Sequence, residues 1–149
     1  MTIDIRPTDL ECLKKHTEAC WPEEACALLI GQYVQNQHWI VNHVELAENI
    51  AKNKSRYFEI DPTSRVKVEM NMLSEIDEII GIFHSHPEGQ ATLSDTDLKN
   101  MTEPDLFWLI ANTASGKVKE FCAFTAADGQ KINQLTLHSK NAANGDEFI

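Results

Sequence analysis

The stretch His84-Ser85-His86-Pro87, followed by Ser94 and Asp97, gathers residues able to hold a hard cation. Before it, Ile79, Ile80, Gly81, Ile82 and Phe83 form a short apolar, β-branched run that predicts a buried strand, with the histidines at or just past its end. Side chains alternate along a strand, so His84 and His86 share a face and can point at one ion. Pro87 has no N–H for a ladder and stops the strand, and Glu88, Gly89 and Gln90 let the chain swing back. Ser94-x-x-Asp97 is a helix N-cap pattern that places Asp97 in the first helical turn, so a third ligand arrives on a rigid element. Two neutral imidazoles and one carboxylate suit Zn²⁺ with the fourth position left to water, the open arrangement of a catalytic site.

The elements that must position these groups follow from the rest of the chain. Leu10, Leu13 and Thr17 recur at helical spacing over Thr8 to Ala19, with Thr8 and Asp9 as candidate caps, and Trp21-Pro22 ends this first helix. Ala25 to Gly31 reads as a buried strand with Glu24 at its mouth, hairpinned through Gln35-Asn36 to an alternating strand over Gln37 to Leu46. Glu48 to Arg56 is polar loop, in which Asn49 is a candidate to hold the chain, and Tyr57 to Ile60 reads as a brief strand. A second helix starts at Asp61-Pro62 with an apolar stripe of Val66, Met70, Leu73 and Ile76. Three further strands are expected over Leu106 to Ala111, Val118 to Phe124 and Ile132 to Leu137, the last two joined by an Asp128-Gly129 turn. The fold class is therefore α/β, more strictly α+β: one domain over residues 1–137, a curved and mostly antiparallel sheet packed by two main helices and a short helix after the histidines, with the metal at one sheet edge. The polar tail 138–149 is expected to be flexible.

Composition narrows the function. The 149 residues fit one domain with a sizeable core, and a formal net charge of -10 argues against non-specific binding to nucleic acid or an anionic membrane, which needs Lys and Arg on phosphates. Cys12, Cys20, Cys26 and Cys122 form no CxxC pair, the N-terminal sequence has no secretory pattern, and no run reaches membrane-spanning length. These features predict a cytoplasmic protein with unpaired thiols. His16, His38, His43 and His138 read as structural, and Trp39, Trp108 and the phenylalanines as core.

Glu24 before Ala25-Cys26, then His84-x-His86-Pro87, seven residues, and Ser94-x-x-Asp97 resemble the JAMM (MPN+) metalloprotease signature, E…HxH(x7)SxxD. Pro22-Glu23-Glu24-Ala25-Cys26, Asn49-Ile50 and Arg56-Tyr57-Phe58-Glu59-Ile60-Asp61-Pro62 are similar to flanking blocks of its compact prokaryotic branch, so the resemblance spans most of the chain. Ala27 departs from it, since many relatives have glycine there, but no ligand is lost. The resemblance implies a cytidine-deaminase-like JAMM/MPN fold, zinc on His84, His86 and Asp97, Glu24 as the acid/base for the activated water, and Ser94 beside the oxyanion. Asp95 is either a partner of an imidazole N–H or only a favourable anion in the first helical turn.

The implied reaction is hydrolysis of the amide or isopeptide bond after the C-terminal Gly-Gly of a ubiquitin-like or sulfur-carrier protein, whose extended tail could add as a strand along an exposed edge. Only Leu98 to Pro104 separates Asp97 from the next strand, which disfavours the long insertion of lysine-linkage-specific deubiquitinases. The alternatives are a deubiquitinase acting on ubiquitin conjugates, a non-catalytic MPN-type interaction module, which would usually lack ligands present here, and a DNA-repair-associated relative, against which the acidic charge speaks.

Overall fold

Strands whose two faces are both apolar must be covered on both sides, and the chain meets this with a curled sheet and helices against each face. The computed structural model describes residues 1–71, 76–127, 131–139 and 147–148. The elements run β1 (Thr2–Asp4), α1 (Pro7–Cys20), β2 (Cys26–Val34), β3 (His38–Ala47), α2 (Pro62–Asn71), β4 (Glu78–His86), α3 (Asp95–Asn100), β5 (Phe107–Ala114), β6 (Lys117–Ala127), β7 (Lys131–Ser139) and β8 (Glu147–Phe148). The sheet order is β1-β3-β2-β4-β5-β6-β7-β8, and β1 also pairs with β7, so the curved sheet closes into a barrel. The pairings β2 with β3 and β4, β5 with β6, β6 with β7 and β7 with β8 are antiparallel, whereas β4 with β5 and β1 with both its partners are parallel.

Strand β1 is the closing piece, and a three-residue segment is too short to show a period in sequence. Independently of that closure β4 lies between β2 and β5, so the histidines stand at the end of an inner strand and not at a sheet edge as expected. One face of the sheet, with Ala27, Leu29, Phe83, Phe107 and Leu109, packs with Leu10 and Leu13 of α1. Thr17, also buried, returns its hydroxyl to the Leu13 carbonyl at 2.8 Å. The opposite face, with Leu28, Ile30 and Ile79, packs against Val68 of α2. A bulge between Leu29 and Ile30, opposite Gly81, shifts the register of β4, so Ile79 and Ile82 pack on the α2 face while Ile80 and Phe83 pack inside. A Cβ on Gly81 would meet the Phe107 ring at 2.7 to 2.9 Å, so only glycine allows this approach.

Three local expectations change. Helix α1 starts with Pro7 as its first residue and Arg6 as an N-cap without a side-chain bond, so Thr8 and Asp9 lie inside the helix; proline's missing N–H costs nothing there. Tyr57 to Ile60 is not a strand, since only an isolated bridge joins Ile60 to Asn49. Helix α2 starts at Pro62 as expected, but its buried residue is Val68, while Val66 and Met70 are 49% and 77% exposed and Ile76 lies beyond it in the open. Arg65 sets that rotation, with both terminal nitrogens 2.6 Å from the Glu103 carboxylate ahead of β5. Leu73 and the Asp128-Gly129 turn lie outside the described residues, as does most of the tail, but His138 and Ser139 extend β7 and pair with β8. Among the described residues no helix is long and apolar enough to cross a membrane.

Candidate metal centre and active site

His84 and His86 project from the same face of β4, as strand alternation requires. His84 is fully buried. Its ring stacks on Phe58 at 4.4 Å and meets the edge of Trp108 at 5.3 Å, so aromatic packing fixes its plane. His86 is fixed by a hydrogen bond. Its Nδ1 lies 2.8 Å from the Gln90 carbonyl, which can only accept, so Nδ1 carries the proton and Nε2 of the neutral ring presents a lone pair. The 87–90 turn that delivers this carbonyl is held from β5, with Thr113 Oγ1 donating to the Pro87 carbonyl at 2.7 Å and Asn112 Nδ2 to the Gly89 carbonyl at 3.1 Å. Trp21 Nε1 donates to the same Pro87 oxygen at 3.3 Å, and Gly89 takes φ +94°, a region that favours glycine.

Asp97 arrives as the Ser-x-x-Asp spacing predicts. Ser94 caps α3 by accepting from the Asp97 N–H at 3.1 Å, and its own N–H donates to Asp97 Oδ2 at 2.9 Å, a reciprocal capping box. The carboxylate then faces both rings, Oδ1 3.2 Å from His84 Nε2 and Oδ2 3.1 Å from His86 Nε2, and the two Nε2 atoms are 3.1 Å apart. Burial opposes ionisation of Asp97, but hydrogen bonds with His84 and His86 and the Ser94 N–H outweigh it and hold the carboxyl well below the usual range. Burial lowers His84, whereas for His86 the bonds to Asp97 and Gln90 overcome burial and raise it.

Glu24 stands at the mouth of β2, where the sequence put it, and is 5% exposed. Its N–H donates to the Lys54 carbonyl at 2.7 Å, and its carbonyl accepts from Asn49 Nδ2 at 3.0 Å. Buried Asn49 also reaches the Lys54 and Tyr57 carbonyls, so it holds the loop as expected. Ser85 joins the two halves of the site: its hydroxyl accepts from the Ala25 N–H at 2.8 Å and its N–H donates to the Ala25 carbonyl at 3.0 Å. A Glu24 carboxylate oxygen lies within 4.8 Å of ring nitrogens of both histidines. Burial, with a smaller contribution from Asp97 against an opposing one from His86, pushes its pKa up to about 7.

The donor set fits a divalent cation. The two imidazole nitrogens lie 3.1 Å apart and each lies 3.1 to 3.2 Å from a different oxygen of the one carboxylate, spacings close to the edge of a tetrahedron, about 3.3 Å for metal bonds of about 2.0–2.1 Å. Asp95 is exposed in the first turn of α3 and is bonded to neither imidazole: Gln90 takes that place on His86, and the buried Nδ1 of His84 has no hydrogen-bond partner among the described residues. Ala27 is buried in the barrel core away from the ligand atoms. His38 lies 2.9 Å from Asp4, His43 3.0 Å from Glu45, and His16 against Cys20, which fits their structural reading. The four cysteines are unpaired, and burial pushes the Cys26 thiol up to about 12. Phe58, Trp21, Asn112 and Thr113 act on the site without having been singled out for it. Only the parallel register that sets His86 beside Asn112 reveals the last two, and no local sequence pattern encodes that register.

The cleft over these groups holds about 500 Å³ and is lined by Trp21, Pro22, Glu24, Ser55, Arg56, His86, Pro87, Glu88, Ser94 and Asp97. A family model described as prokaryotic homologs of the JAB domain matches residues 10–126. The chain is 26% identical over 126 residues to the CysO-cysteine peptidase of Mycobacterium tuberculosis, covering 84% of this chain and 83% of that protein. It is 30% identical over 114 residues to the desampylase of Pyrococcus furiosus, covering 76% and 74%. In fold it is similar to a solution structure from Desulfitobacterium hafniense, with TM-score 0.78, 22% identity and 97% of each chain covered. It is also similar to a JAB1/MPN domain protein from Archaeoglobus fulgidus, with TM-score 0.58, 15% identity, and 92% of this chain and 98% of that one covered. With a family model matched over most of its length, and the motif residues drawn together in a JAB1/MPN-like fold, the chain belongs to the prokaryotic homologs of the JAB domain, the compact branch of the JAMM/MPN hydrolases.

Proposed function

We propose that this chain is a zinc-dependent peptidase that hydrolyses the amide bond after the C-terminal Gly-Gly of a ubiquitin-like or sulfur-carrier protein, with His84, His86 and Asp97 holding the metal. The observation that carries the reading is the group of two imidazole nitrogens and one carboxylate at 3.1 to 3.2 Å beside the buried Glu24. The relatives named for CysO-cysteine and for sampylated proteins support the substrate class. Zinc, when bound, would polarise the scissile carbonyl and make a water nucleophilic near neutral pH. Glu24 takes the proton of the attacking water and hands it to the leaving nitrogen, a role suited to a carboxyl near neutrality. Hydroxide adds to the carbonyl carbon, the C–N bond breaks, and the products are a glycine carboxylate and an amine. Ser94 Oγ accepts from the Asp97 N–H, which leaves its hydroxyl proton free to donate to the oxyanion, a contribution of about 2–4 kcal/mol for such donors. Both flanks of β4 are paired, so the tail enters through the cleft and not as an added strand on β4.

Mass spectrometry of a ubiquitin-like carrier bearing a short extension after Gly-Gly tests the reading. Incubation with zinc-loaded protein is expected to remove the extension and leave a Gly-Gly terminus, and chelation to stop it. An unchanged carrier mass with stoichiometric zinc on the protein would sink the proposal in favour of an interaction module.

A further inference from the structure

Three of the residues lining the cleft are acidic, Glu24, Glu88 and Asp97, and among the described lining residues the one Lys or Arg is Arg56. The chain's other two arginines are neutralised: Arg6 is 2.8 Å from Asp9 and reaches the Asn42 carbonyl, and Arg65 is paired with Glu103 and Glu69. Arg56 is exposed, and its guanidinium has no hydrogen bond or ion pair among the described residues.

Its backbone is nevertheless fixed. The Arg56 and Tyr57 N–H groups donate to the Asn53 carbonyl at 3.2 and 3.0 Å, and Asn49 holds the carbonyls of Lys54 and Tyr57 on either side. Lys54 in turn accepts the Glu24 N–H, so the turn that carries Arg56 is bonded to the residue that serves as acid/base in the reading above. A cation without a partner among the described residues, on a turn whose backbone is anchored to the reacting centre of an acidic protein, is placed to meet an anion that arrives with the substrate.

The substrate's own chemistry says which anion. Gly-Gly has no side chains, and its terminal carboxylate is consumed in the bond to be cut. The charge must come from the leaving side. A single amino acid on that side carries its α-carboxylate two bonds from the scissile nitrogen, whereas a lysine joined through its Nζ within a protein carries none nearby. A guanidinium fork matches a carboxylate in a bidentate pair. We propose that Arg56 recognises the free α-carboxylate of one amino acid joined to the carrier's Gly-Gly, which makes the site prefer one-residue extensions over isopeptides and amidated tails. The inference rests on the peptidase reading and narrows its substrate.

The test uses zinc-loaded protein and three carriers: one ending Gly-Gly-Ala as the free acid, one ending Gly-Gly-Ala-amide, and one joined through an isopeptide bond to a peptide lysine. Wild type is expected to cleave the acid at a kcat/KM about 10-fold or more above the amide and isopeptide, mainly through KM. In Arg56→Ala that preference falls to near one, and in Arg56→Lys it is partly retained. The same acid-to-amide ratio should be read in equilibrium binding to the chelated protein by fluorescence anisotropy, where no turnover intervenes. Equal handling of acid and amide by wild type, or a preference that survives in Arg56→Ala, overturns the assignment while leaving a peptidase in place. Failure to cleave any carrier overturns the peptidase reading and this inference with it.

Discussion

Glu24 is where the chemistry is most exposed to a single substitution. A carboxylate at 5% exposure is costly to keep ionised, and because burial outweighs the opposing pull of His86 its pKa is pushed up to about 7. Glu24→Gln keeps the shape but cannot take a proton. Zinc content by elemental analysis should stay near one per chain while single-turnover cleavage falls by on the order of 10²–10⁴. If Glu24 were instead a metal ligand, zinc would be lost together with activity, and unchanged cleavage would remove it from the mechanism. Cys26 offers the opposite case. It pairs with His84 across β2 and β4 and is fully buried, so its thiol is no nucleophile at neutral pH. Alkylating reagent under native conditions should leave turnover intact, whereas a zinc chelator abolishes it; the reverse result would point to thiol chemistry.

At the level of elements the site depends on a contact between strands. Thr113, near the end of β5, is 3% exposed and donates to the Pro87 carbonyl, steadying the turn whose Gln90 carbonyl sets the tautomer of His86. Thr113→Val keeps the volume and deletes that donor. It should cost about 1 kcal/mol in urea unfolding and weaken zinc about 10-fold in competition with a chromophoric chelator. Loss of stability with unchanged zinc affinity would show that the turn does not act on His86. This contact also marks the limit of what the sequence discloses. The HxH pair, the Ser-x-x-Asp cap, Glu24 at a strand mouth and the Leu10/Leu13/Thr17 face of α1 are local patterns, and each was legible because alternation, capping and helical period are local physics. The placement of Asn112 beside His86, the closure by β1 and the rotation of α2 by the Arg65–Glu103 pair come from pairings between distant segments, to which local periodicity is blind.

At the scale of the whole molecule, the closed barrel holds an acid-rich centre at the end of β4, and metal and pH should both be felt in global stability. If the folded site takes zinc as proposed and the unfolded chain holds it far less tightly, a free concentration of about 1,000 Kd should add about 4 kcal/mol, a rise of roughly 8–16 °C in Tm for a chain of this size. Without the ion, Glu24 governs part of the pH dependence. Its folded pKa lies above its unfolded value of 4.5, so the folded state binds the extra proton, and stability is lost as pH rises from about 4.5 through about 7 and stays lost above. Asp97 has the opposite sign: its folded pKa is depressed, so its contribution is present above 3.8 and is lost as pH falls below. Comparing chelated wild type with chelated Glu24→Gln isolates the first of these. The variant should melt higher than wild type at pH 8, on the order of 2–6 °C, and that advantage should fade toward pH 4.5, where wild-type Glu24 is itself protonated. A gap independent of pH would mean that Glu24 is ordinarily solvated, and the low exposure of its side chain would then have no electrostatic consequence.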